Sequence, residues 1–223
     1  MDTHKYNVSI MCPTRKRPKG CIRTCDFLFE NAAHPDLVEI LLMFDDDDQS
    51  SYEEVKNYYE SNDNVKLFVS ERYGYKHLHK YYNFLAEKAQ GKWLFLWNDD
   101  AMIGTKPWDM VPMQYGDDLK VIACAQDRPG TCLFPVFPKK WVEITGRVSN
   151  NCSNDTWVQD VALDTQTYVQ DMRLHVHHLR ETPEFQDQTN KERVYDTNNF
   201  YSDEQHSQRQ EDVDKIKKYL ESI

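Results

Sequence analysis

The run Trp93-Leu94-Phe95-Leu96-Trp97-Asn98-Asp99-Asp100 carries the decision about the fold. Consecutive large apolar side chains mark a strand covered on both faces, as a parallel strand between crossover helices must be. The run stops abruptly at an amide and two carboxylates. Just upstream, Leu78, Tyr81, Tyr82, Leu85 and Ala89 repeat with a 3.6-residue period, which predicts an amphipathic helix over about His77–Gln90, with Gly91 placed to end it.

Farther upstream the same alternation recurs. Val8–Cys12 reads as a strand followed by a helix from about Lys16 to Ala33, and Val38–Phe44 (VEILLMF) as a second buried strand. Ser50 and Glu53 have capping-box spacing and open a helix to about Glu60, after which Val65–Val69 is a third strand. Strands alternating with helices predict an α/β protein: a single Rossmann-like domain whose mostly parallel central sheet is flanked by helices.

Downstream, a strand is expected at Val121–Ala125, an apolar segment at Cys132–Pro138 and a helix from Asn154 to about Gln166. A histidine-rich extended segment follows at Tyr168–Leu179. Residues 1–180 are read as the main domain. Residues 181–223 are read as a polar extension ending in an amphipathic helix built on Val213, Ile216, Leu220 and Ile223. That helix packs on the same domain or on a second copy, so a homodimer is one candidate assembly.

Composition narrows the function classes. The 223 residues carry 27 Lys+Arg against 37 Asp+Glu, a net charge of −10, which disfavours nucleic-acid binding by bulk charge. The seven glycines never fall two apart, so there is neither a Walker-A loop nor a G-x-G-x-x-G turn, and any nucleotide phosphate must be held another way. The six cysteines form no C-x-x-C pair, and Cys12 and Cys124 fall in apolar runs. With neither a signal-peptide pattern nor an apolar run of membrane-spanning length, a reduced cytoplasmic location is expected.

Charged groups collect where strands end. Asp45-Asp46-Asp47-Asp48 follows the second strand and Asp99-Asp100 the apolar one, at the edge where open α/β sheets bind ligands. Four adjacent aspartates need a cation or hydrogen-bond donors, or else form a solvated, helix-capping turn. Asp99-Asp100, set against the core, points to a divalent ion such as Mn²⁺ or Mg²⁺. Pro13, Thr14, Arg15, Lys16 and Arg17 bring cations to the same edge, and Tyr75, Lys76 and His77 stand on its rim before the amphipathic helix. The alternative for the first group is an ordinary basic helix turn.

These pieces, in this order, resemble the glycosyltransferase family 2-like proteins of the GT-A fold, in the nucleotide-diphospho-sugar transferase superfamily. The match covers roughly residues 7–180. It is carried by the P-T-x-x-R-like turn at Pro13, Thr14, Arg15 and Arg17, by Asn83, by Ala89-Gln90-Gly91, and by Asn98-Asp99-Asp100 in place of a D-x-D signature. The resemblance implies a metal-dependent transfer of a sugar from a nucleotide donor to an acceptor hydroxyl, inverting by single displacement. It implies nucleotide recognition by Asp45 or Asp46, metal ligation by Asp100, and a further ligand from His175, His177 or His178, with His177 the first choice. Asn98 and Asp99 complete the donor site.

The family's usual base position falls near Asp155 in Ser153-Asn154-Asp155-Thr156-Trp157, with Asp160 in reserve, although either Asn154 or Asp155 serves equally well as a helix cap. The chain departs from the family in having Asn98 for the first aspartate and no clear Glu-Asp pair. Two other classes stay open. A nucleotidyltransferase on a similar sheet would release pyrophosphate, and a non-catalytic nucleotide- or sugar-binding module would lack a working base.

Overall fold

The structure, a computed structural model, describes residues 4–126, 131–179 and 200–223. The expected polar stretch of the C-terminal extension lies outside the described residues between 181 and 199.

The first half of the chain forms what its alternation predicts. Strands β1 (Tyr6–Pro13), β2 (Val38–Asp45), β3 (Val65–Ser70) and β4 (Gly91–Leu96) are joined by helices α1 (Pro18–Glu30), α2 (Gln49–Tyr58) and α3 (Leu78–Lys88). β1 pairs in parallel with β2 and β4, and β2 with β3. The second half adds β5 (Ala101–Ile103), α4 (Met110–Met113), β6 (Val121–Gln126), β7 (Pro135–Pro138), α5 (Lys139–Thr145), α6 (Asn154–Asp164), β8 (Tyr168–His178) and α7 (Asp203–Leu220).

Strand order in the eight-stranded sheet is β3-β2-β1-β4-β7-β6-β8-β5. The sheet is mixed, which corrects the expectation of a mostly parallel one. β7 runs antiparallel to both β4 and β6, and β5 antiparallel to β8. The connection from β6 to β7 is too short for the crossover that a parallel neighbour requires.

Two cores cover the sheet. Alternation along β4 sends Trp93, Phe95 and Trp97 toward Cys21, Cys25 and Leu28 of α1, and Leu94 and Leu96 toward Tyr81, Tyr82 and Leu85 of α3. The second core also takes Trp141 from α5, Trp157 and Val161 from α6, and Val213 and Ile216 from α7. The last helix is therefore part of the layered body. Its apolar stripe stops short of Ile223, which lies beyond the helix and is exposed.

Two local expectations are corrected. The N-cap of α2 is Asp48; Ser51 donates its hydroxyl to Asp48 at 2.8 Å, and Glu53 accepts from Gln49, so the Ser50–Glu53 box is not what opens the helix. Gly91 does not end α3, whose C-cap is Ala89, but opens β4.

At the N-terminal edge of the sheet lies a buried polar knot. Glu39, fully buried on β2, accepts from the Ser9 hydroxyl at 2.6 Å and from the Gln90 amide at 2.5 Å, and pairs with Lys66 at 2.5 Å. Ser9 Oγ in turn accepts from the Gly91 amide at 2.8 Å. A carboxylate inside VEILLMF is tolerated because three neighbouring segments satisfy it. Glu39→Gln keeps the shape but turns one acceptor into a donor facing Lys66. We expect a loss of about 1–3 kcal/mol, read as a lower urea midpoint at unchanged slope.

Candidate functional site

The ends of β1, β2, β4 and β8 meet at one edge because β6 and β8 run in the same direction as β4 on the far side of the reversed β7. The pocket there is lined by the 13–17 turn, Asp45, Asn98, Asp99, Asp100, Asp155 and His178.

The aspartate run is offset by donors. Asp45 is buried, accepts from Arg15 Nη1 at 2.8 Å and is also hydrogen-bonded by the Tyr81 hydroxyl. Arg15 reaches on to Asp47, donating from Nη2 to Oδ2 at 2.9 Å. Asp48 is buried and takes the Lys16 backbone amide at 2.5 Å; Lys16 adopts a positive φ of 56° there, a strained conformation for a residue with a side chain. Asp46 is exposed and lies outside the pocket lining, so of the two aspartates read as nucleotide contacts only Asp45 faces it.

Asp99 is bound from the 13–17 turn as well. It accepts from Thr14 Oγ1 at 2.8 Å and from Arg17 Nη1 at 2.9 Å. Burial pushes its carboxyl above the usual range; Arg17 pulls it back and the neighbouring Asp100 adds to the rise. Asp100 meets His178 Nε2 at 3.1 Å and lies 3.8 Å from Arg17 Nη1. Asn98 accepts from the Tyr82 hydroxyl at 3.0 Å, and the same hydroxyl donates to the Trp97 carbonyl at 2.9 Å.

Pro13 and Tyr75 line the pocket, whereas Lys76 is exposed outside it. Asp155 lines the pocket from the first turn of α6, where its Oδ1 also accepts the Thr156 amide at 2.8 Å. Asp160 stands farther along α6, 3.8 Å from Arg209.

The structure sets His178, not His177, against Asp100. Leu174 and Val176 form the buried face of β8, and His178 continues that series into the pocket. His175 and His177 share the opposite face, their rings 4.3 Å apart beside Gly104. The signal was present in the sequence, since a residue in phase with the apolar positions of a strand points where they point. Trp97 and Trp108, on either side of Asn98-Asp99-Asp100, are fully buried and belong to the core. Tyr81 and Tyr82 were legible only as an apolar stripe, although their hydroxyls reach Asp45 and Asn98.

Among the described residues no cluster of three or more His, Cys, Asp or Glu side chains is placed to hold a metal. Asp100 and His178 do present a carboxylate oxygen and an imidazole nitrogen side by side at the pocket. That donor pair suits Mn²⁺ when oxygens of a bound ligand and water complete the shell.

No protein-family model and no curated protein matches the chain. Solved structures do. A mannosyltransferase, PcManGT from Pyrobaculum calidifontis, in complex with GDP-Man and Mn²⁺, superposes with a TM-score of 0.65 at 13% identity over 81% of this chain. This chain spans only 59% of that enzyme's length. S. aureus TarS 1-349 in complex with UDP superposes with a TM-score of 0.63 at 10% identity, over 97% of this chain and 91% of that one. At these identities the likeness is one of architecture, and the chain has the glycosyltransferase-like fold that these two proteins share.

Proposed function

We propose that the chain is a metal-dependent glycosyltransferase that moves a sugar from a nucleoside-diphosphate donor to an acceptor hydroxyl, inverting by single displacement. The observation that carries this reading is the convergence of Asp45, Asn98-Asp99-Asp100, Asp155 and His178 in one pocket at the C-terminal edge of the sheet. The fold supports it, since similar structures hold GDP-Man with Mn²⁺ and UDP.

Each group has work in such a reaction. Asp45, held by Arg15 and Tyr81, faces the base of the donor with a fixed carboxylate. Arg15 and Arg17 place positive charge beside the diphosphate, where charge builds as the sugar leaves. Asp100 and His178 would hold the divalent ion, which supplies Lewis-acid stabilisation to that leaving group. Asp155 takes the proton of the acceptor hydroxyl as general base. Single displacement needs no protein nucleophile, and Cys12 is buried beneath the 13–17 turn, with burial pushing its thiol well up.

A calorimetric titration with UDP, GDP, CDP and dTDP, each with and without Mn²⁺, tests the reading. One nucleoside diphosphate is expected to bind with a requirement for Mn²⁺, and Asp100→Ala to lose that binding. Absence of binding by all four to folded protein would overturn it. Release of pyrophosphate from a nucleoside triphosphate would instead favour nucleotidyl transfer.

A further inference from the structure

The segment from Arg147 to Trp157 contributes Cys152, Asn154 and Asp155 to the pocket, yet most of it lies between helices with no regular structure of its own. It is held from two sides by elements remote in sequence. From α3, Asn83 accepts from the Val148 amide at 2.8 Å and the Ser149 amide at 3.3 Å, and donates to the Ser149 carbonyl at 2.9 Å. From α7, Gln208 and Gln205 accept from the side-chain amides of Asn150 at 2.5 Å and Asn151 at 3.2 Å.

The two ends of the segment meet on one carboxylate. Asp212 Oδ2 accepts from Arg147 Nε at 3.1 Å and from Trp157 Nε1 at 3.0 Å. The Asp212 side chain is 2% exposed, whereas its neighbour Glu211 is 60% exposed. A buried charge is a costly way to gain stability, because apolar groups of the same volume serve at least as well. What an ion pair adds is fixed geometry, here between the residue that opens the loop and the residue that closes it.

We propose that Asp212 is a positioning residue for glycosyl transfer: it ties Arg147 to Trp157 and so fixes the loop that presents Asp155 to the pocket, with Asn83 holding the loop's middle from the opposite side. The proposal rests on the reading of Asp155 as the base. Asp212 touches nothing that reacts. Its effect passes through the placement of the 148–156 backbone, where a displacement of about 1 Å is worth roughly a hundredfold in rate.

The test is a double-mutant cycle on the full chain with Mn²⁺. It measures release of UDP from UDP-glucose and UDP-N-acetylglucosamine and of GDP from GDP-mannose, together with nucleoside-diphosphate affinity. Asp212→Ala is expected to lower kcat about tenfold to a hundredfold with affinity unchanged. Asp212→Asn, which keeps an oxygen acceptor for Trp157, should recover most of that loss. In an Asp155→Ala background Asp212→Ala should have no further effect, which a purely structural role would not produce.

If Asp155→Ala leaves kcat untouched, the base assignment fails and the positioning role falls with it. If Asp155→Ala lowers kcat but Asp212→Ala costs the same factor in both backgrounds, only the positioning role is overturned. Should Asp212→Ala not fold, Gln208→Ala and Asn83→Ala enter the same cycle, and unchanged kcat in both overturns the proposal. Wild-type protein that binds none of UDP, GDP, CDP and dTDP with Mn²⁺ and releases neither UDP nor GDP overturns both readings.

Discussion

Asp155→Ala is expected to lower turnover by about 10²- to 10⁴-fold while nucleoside-diphosphate binding stays intact, the range that a positioned general base contributes. Asp100→Ala should remove Mn²⁺-dependent binding and turnover together, with a rate loss on the order of 10²- to 10³-fold, as when a group facing developing charge is deleted. The contrast follows from what each carboxylate touches. Asp100 meets His178 and lies near Arg17 on the floor beyond β4, whereas Asp155 enters from the first turn of α6. Steady-state release of UDP or GDP, paired with calorimetry on both variants, separates the outcomes. Full turnover by Asp155→Ala would move the base elsewhere.

Gly91→Ala should fail to give stably folded protein, a cost of about 3 kcal/mol or more. A β-carbon at this position would lie 2.5 Å from Ser9 Oγ, 2.6 Å from the Ser9 backbone nitrogen and 2.8 Å from the Val8 carbonyl carbon. Two of these atoms belong to the backbone of β1, so no rotamer change relieves the contact. Either β4 separates from β1 at the start of their parallel ladder, where Tyr6 pairs with Gly91, or the Ser9–Gly91 hydrogen bond is lost and Glu39 loses part of its shell. Soluble variant with a thermal midpoint matching wild type would refute this. The glycine is needed here for close approach of two strands, not for a left-handed turn.

Much of the first half was legible because its segments obey local rules. WLFLW could only be a covered strand, the 78–89 period could only be a helix, and both lead to Asn98-Asp99-Asp100 at a strand end. The second half was less legible because its arrangement depends on pairing at long range. PVFP carries no mark that it will run against β4, and β8 shifts register against β6 between Cys124 and Ala125, where Asp171 and then His175 become the partners. The histidine next to Asp100 was a matter of phase: His178 follows Leu174 and Val176, but three histidines in four positions drew attention to the pair that shares a face. The roles of Tyr81 and Tyr82 were hidden because periodicity registers a tyrosine ring and says nothing of where its hydroxyl ends. Asp212 was hidden for the opposite reason. Among Glu211, Asp214 and Glu221 it reads as one more solvated charge, and only the burial of α7 against α6 sets it apart.

The polar knot around Glu39 and the pocket around Asp45 occupy opposite ends of the same strand, separated by about 20 Å of extended backbone. Perturbations that far apart with no common partner combine additively. The sheet thus keeps the determinants of its endurance at one margin and those of its chemistry at the other. Laboratory selection for a hardier variant can work at the Glu39 margin without trading away donor recognition at the Asp45 margin.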